Sequence, residues 1–177
     1  MRLRYLSSSA LALSDIPLRG LAPQWSARTI DGVKVLRPQV GVPGIAYLDL
    51  YLPLMDPEPS KGLADCELLD VPFLASVFGK LPTERYTEQQ LQNELDGKLG
   101  HFYMNFTVAG KAGSTAAHPY FTVHVSALEA KWPEVLKLVP EVLCATSFAD
   151  QEAIGNLLKQ RRIGMERSTT GLGARPY

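Results

Sequence analysis

The chain has 177 residues, 46% of them hydrophobic, enough for one domain that buries roughly 70% of the surface its unfolded form exposes. Its 18 Lys and Arg are balanced by 18 Asp and Glu, so no net basic field exists to gather nucleic acid or anionic lipid. No run approaches the roughly 18 consecutive apolar residues of a membrane-spanning helix, so the expectation is a soluble intracellular protein of the cytoplasm or an organelle matrix.

Residues 1–30 carry Pro17, Gly20 and Pro23 among short apolar pieces and hold no regular period, which predicts a linker approaching a domain at 31–177. The opening Met1-Arg-Leu-Arg4 followed by Ser7-Ser-Ser9 imitates a transit segment. Its apolar stretch is too short for one, and no small-x-small cleavage site follows.

Residues 33–36 and 44–52 read as strands. In the second, Ala46, Leu48, Leu50 and Leu52 share one face, while Ile45, Tyr47, Asp49 and Tyr51 share the other. After a turn at 56–59, Leu63, Cys66, Leu69, Phe73 and Val77 recur at helical spacing, with Pro72 kinking that helix or opening a second one. Thr87 and Gln90 form the signature of a capping box for a helix that runs to about Lys98 and stops before Gly100. Residues 101–109 and 120–127 alternate again, with Gly110 to His118 as the loop of a hairpin.

Trp132-Pro133 opens a helix that Pro140 is expected to interrupt. Ser147 and Asp150 cap a longer one carrying Ile154, Leu157, Leu158, Arg161 and Met165 as a stripe, ended by Gly171-Leu-Gly173. The order β-β-α-α-β-β-α-α predicts an α+β fold, an antiparallel sheet with paired helices on one face.

The chemistry-bearing residues are few. Cys66 and Cys144 lie in apolar segments without a C-x-x-C, which predicts reduced thiols in the core. His118 and His124 lack the cysteine pair of a zinc finger. His101 and His124 project from the polar face of adjacent strands and could approach each other, but no carboxylate ligand stands at a sensible spacing. Gly171-x-Gly173 follows a helix instead of opening one, so it is no phosphate cradle, and Lys159, Arg161 and Arg162 read as a solvated helix face. Neither a catalytic nor a metal-binding set emerges from the residues. The unusual feature is the second face of the sheet, which gathers Tyr47, Asp49, Tyr51, Tyr103, Asn105 and His124, with Thr107, Tyr120 and Thr122 beside them. Aromatic bodies with polar tips suit semi-wet contact with a peptide or another domain, although an ordinary exposed sheet face would look the same.

Four phrases carry a resemblance: Leu11-Ala-Leu-Ser-Asp-Ile-Pro17, Gly44-Ile-Ala-Tyr-Leu-Asp-Leu-Tyr51, Gly79-Lys-Leu-Pro-Thr-Glu-Arg-Tyr86 and Leu91-Gln-Asn-Glu-Leu95. In this order they resemble the third, non-catalytic domain of pitrilysin-type (inverzincin) zinc metallopeptidases of the presequence-protease-like branch. The resemblance implies a LuxS/metallohydrolase-like domain of the kind seen in mitochondrial processing peptidases, lacking its last strands, in an enzyme whose halves close around unstructured peptides. It also implies zinc on an H-x-x-E-H helix of another domain, and as partners the other domains of the same peptidase and its peptide substrates. The family's offset from Thr83-Glu-Arg-Tyr86 puts Phe73, Ser76 and Val77 where an active domain has its histidines and glutamate. Phenyl, hydroxymethyl and isopropyl groups supply neither zinc ligands nor a base, so no cofactor is expected in this chain. The alternative is a stand-alone interaction or scaffold protein on a degenerate peptidase fold.

Overall fold

The computed structural model describes residues 24–38, 43–55, 62–110 and 113–172, with side chains through Ser168. The phrase at 11–17, the turn at 56–59 and Gly173 of the helix stop lie outside these residues. Two units divide the chain, Met1–Pro43 and Gly44–Tyr177.

In the first unit, β1 (Trp25–Ile30) and β2 (Val33–Pro38) form an antiparallel hairpin whose register runs from Trp25 opposite Pro38 to Ile30 opposite Val33. Asp31 and Gly32 both have positive φ, 49° and 81°, the geometry of the tight hairpin turn that matches strand twist. The expected linker extends through residue 30, but 25–30 are a strand. Trp-Ser-Ala-Arg-Thr-Ile alternates poorly, so the signal for β1 is the Asp-Gly turn and not its own pattern.

The second unit is built on a three-stranded antiparallel sheet in the order β3-β5-β4, from β3 (Ile45–Pro53), β4 (His101–Gly110) and β5 (Ala117–Leu128). The fold is α+β, as the pattern predicts. The central strand has the cleanest alternation: Phe121, Val123, Val125 and Ala127 are buried, while Tyr120, His124 and Ser126 are half-buried. Burying each large apolar side chain contributes about 1.5–3 kcal/mol, so this face requires a cover.

Helices supply it on one side. Between β3 and β4 the chain forms α1 (Asp65–Leu68), α2 (Val71–Val77) and α3 (Glu88–Lys98). Pro72 stands in the first turn of α2, where its missing N–H costs nothing, so it starts a second helix and does not kink one. The Thr87 hydroxyl accepts from Gln90 N–H at 3.3 Å, and the Gln90 side chain accepts from Thr87 N–H at 3.0 Å, so the predicted capping box closes α3. Val71 and Ala75 of α2, Leu91 and Leu95 of α3 and Val135, Val139 and Val142 of α4 (Trp132–Ala145) form one cluster with the buried face of β5.

Three expectations are corrected by the helices. Pro140 does not interrupt α4, which runs continuously to Ala145. The carbonyl left without its partner N–H is that of Leu136, and both residues lie on the exposed side of the helix, where a proline is tolerated more readily than in the core. Cys144 is exposed: Val135, Leu138, Val139 and Val142 hold the buried stripe, and a residue two places beyond Val142 points about 200° away. Cys66 is exposed as well, on the single-turn α1, which buries nothing.

The last helix, α5 (Gln151–Leu172), starts where the Asp150 carboxylate accepts from Ala153 N–H at 2.9 Å. None of its residues through Ser168 is fully buried. Ile154, Leu157 and Arg161 of the predicted stripe are half-buried, while Leu158 and Met165 are exposed. Among the described residues, no helix is long and apolar enough to cross a membrane.

Candidate functional site: the open face of the sheet

Helices cover one face of the β3-β5-β4 sheet, and the strand register decides what stands on the other. Tyr47, Ser126 and His101 form one row across β3, β5 and β4; Asp49, His124 and Tyr103 form the next; Tyr51, Thr122 and Asn105 the third; Pro53, Tyr120 and Thr107 the fourth. Directly opposed side chains in such rows stand about 4.5–5.5 Å apart at Cβ, close enough to interact. All the sequence-nominated residues of this face therefore share one patch.

His124 is its centre. The imidazole Nδ1 lies 2.7 Å from Asp49 Oδ1. An ionised carboxylate only accepts, so Nδ1 carries a proton and donates it to Asp49. The Tyr103 ring stacks on the imidazole at 4.5 Å with 17° between planes, and Tyr51 meets it edge-on at 6.4 Å. Tyr51 also stands edge-on to Tyr120 at 6.0 Å, and His101 packs on Tyr103 at 4.7 Å. The result is a continuous aromatic surface holding one carboxylate.

The approach of His101 to His124 takes a different form from the one expected. Register puts His101 opposite Ser126, and the Tyr103 ring contacts both imidazoles. A carboxylate does reach His124, contrary to the expectation from spacing, because β3 pairs with β5 across 75 residues of sequence. Among the described residues, no group of three or more His, Cys, Asp or Glu is arranged to hold a metal ion.

The third row is tied together at its base. Thr122 is fully buried although it belongs to the open face; its hydroxyl donates to the Asn105 carbonyl at 3.1 Å and meets the Thr107 hydroxyl at 3.3 Å. The Asn105 side-chain oxygen accepts from Phe106 N–H at 2.8 Å, so part of that amide serves its own strand. Tyr47, Tyr51 and Tyr103 are 63%, 55% and 42% exposed, and the Asp49 side chain 54%. These groups are open to a ligand.

Phe73, Ser76 and Val77 all lie on α2. Val77 is buried, the Ser76 hydroxyl donates to the Phe73 carbonyl at 2.7 Å, and Phe73 and Val77 line an apolar hollow of about 390 Å³ with Leu74, Phe148 and Ile154. The residues present do not fit zinc. The segment that follows acts as a clamp. The hydroxyl of buried Thr83 accepts from Tyr86 N–H at 3.2 Å, Glu84 N–H donates to the Ala145 carbonyl at 3.1 Å, and Arg85 Nε lies 3.5 Å from Glu141 Oε2. Thr83-Glu-Arg-Tyr86 therefore pins the end of α4. Sequence reasoning had no signal for this, since its partners on α4 stand far along the chain. The basic cluster on α5 is a solvated face, with Arg162 80% exposed and bonded to Glu166 at 3.0 Å.

The chain is 22% identical over 166 residues to Protein HypA of Clostridium perfringens (strain 13 / Type A), an alignment spanning 93% of this chain and 16% of that protein's length. Residues 10–175 match the family of domains associated with the peptidases of family M16, subfamily C. That match takes in almost the whole chain, both the helix-backed core and the tyrosine-bearing face, and the chain belongs to this peptidase-associated family.

Proposed function

We propose that this chain is a non-catalytic domain of a zinc-dependent metalloendopeptidase of the pitrilysin type, in its presequence-protease-like branch. It contributes wall and closure contacts to a chamber that takes unstructured peptides, while another domain holds zinc and performs hydrolysis. Membership of a peptidase-associated family supports this reading, together with an α2 whose Phe73, Ser76 and Val77 cannot serve a zinc site. The observation that carries the chamber-wall role is the open row of Tyr47, Asp49, Tyr51, Tyr103, Asn105 and His124. Exposed rings with polar tips hold a peptide by apolar contact while remaining solvated without it. In the HypA relative, the aligned region is a small part of a much longer protein, which favours a domain working beside others over a stand-alone scaffold.

Two measurements test the reading. The chain alone, incubated with unstructured peptides and zinc, is expected to cleave nothing; metal-dependent cleavage that survives repurification overturns it. In the full-length enzyme, Tyr47→Ala and Tyr103→Ala are expected to raise KM for peptides several-fold with kcat nearly unchanged, the signature of lost ground-state binding. Unaltered kinetics would return the face to an ordinary solvated sheet surface.

A further inference from the structure

We infer that the open face carries a subsite for a cationic side chain of an extended peptide, an arginine above all, formed by the Asp49 carboxylate and the Tyr47, Tyr51 and Tyr103 rings. The inference rests on the proposed peptide-facing role of this sheet and names what it selects. The first ground is charge. The chain has 18 Lys and Arg, yet β3, β4 and β5 contain none, and Asp49 is the sole carboxylate in the three strands. A peptide lying across them meets one negative charge and no fixed positive one.

The second ground is geometry. Tyr47, Asp49 and Tyr51 alternate along β3 on one face, so the carboxylate stands between two exposed rings, each about 7 Å away along the strand. Asp49 Oδ1 is held by His124, while among the described residues Oδ2 has no partner. A guanidinium presents a flat apolar face to a ring and a fork of donors to an oxygen at the same time, so it uses both features; an ammonium uses them less well. His124, bonded to Asp49 and stacked on Tyr103, holds the carboxylate beside the rings.

The test uses the 177-residue chain and two short fluorescein-labelled peptides that differ only in one central residue, arginine or its neutral isostere citrulline. Fluorescence anisotropy is expected to show the arginine peptide binding about five-fold tighter, from one cation–π contact and one exposed ion pair. The preference should shrink in high salt. Asp49→Asn keeps an oxygen for His124 and should abolish the preference, while Asp49→Glu should keep part of it. Equal binding of the two peptides to the unaltered chain overturns the subsite whether or not the variants fold. If Tyr103→Ala then weakens both peptides alike, the peptide-facing reading stands without the subsite. If neither peptide responds to Tyr103→Ala, both readings fall.

Discussion

Asp49 and His124 can be separated by a double-mutant cycle that measures how much the sheet itself depends on the pair. They face each other directly across β3 and β5 at 2.7 Å, with the His124 side chain 20% exposed and that of Asp49 54%. Half-exposure screens the interaction, which limits the coupling to about 0.5–1 kcal/mol. His124→Ala also removes the ring stacked on Tyr103 at 4.5 Å, a contact adding about 0.5–1.5 kcal/mol. The expected costs are therefore unequal: about 1–2 kcal/mol for His124→Ala and about 0.5–1 kcal/mol for Asp49→Ala, with the double variant milder than their sum. Urea unfolding followed by circular dichroism gives all four corners. A coupling within about 0.2 kcal/mol of zero would show that His124 does not hold the carboxylate, and the proposed ordering of the row would fail with it.

Two further substitutions test the covered side. Leu91→Ala removes a fully buried side chain from the cluster shared by α3, α4 and β5, and is expected to cost about 2–5 kcal/mol in the same unfolding experiment. Pro140→Ala restores the missing N–H to the Leu136 carbonyl on the solvent side of α4 and is expected to stabilise by about 1–2 kcal/mol; a loss of stability would mean that the proline ring packs against something it is not seen to touch.

The parts of this fold that can be read from the sequence are those whose cause is local. Period-two alternation identifies β3, β4 and β5 and assigns residues 45–52, 101–109 and 120–127 to their faces, because successive strand side chains point to opposite sides wherever the strand later pairs. It misses Gly110 and residues 117–119, which fall outside the predicted strands but belong to β4 and β5. Thr87 and Gln90 specify the start of α3 by bonds that close within three residues. What fails depends on partners distant in the chain. Apolar neighbours suggest burial for Cys66 and Cys144, but burial on a helix follows the stripe that meets the sheet, and Cys144 sits off that stripe. The face of the candidate site is legible, but its contacts are not: only the register of β3 against β5 brings Asp49 to His124, and no local rule states that register.

The two faces of the sheet also explain how a peptidase-associated domain can carry no zinc ligands on α2 and still present a polar, aromatic surface. On the covered side, Val77 occupies a buried position, and a histidine there would place an imidazole in the core without a partner, at about 1–3 kcal/mol. Phe73 and Val77 instead line an apolar hollow, so packing fills the positions that the resemblance sets against a zinc helix. On the open side, apart from buried Thr122, the rows of Tyr, Asp and His are not required by the core, since strand pairing and the helices already account for the stability of β5. Side chains that packing does not require are free to answer to a ligand. That asymmetry makes the tyrosine row, and not α2, the place where a change of residue should alter what the protein binds while the fold remains.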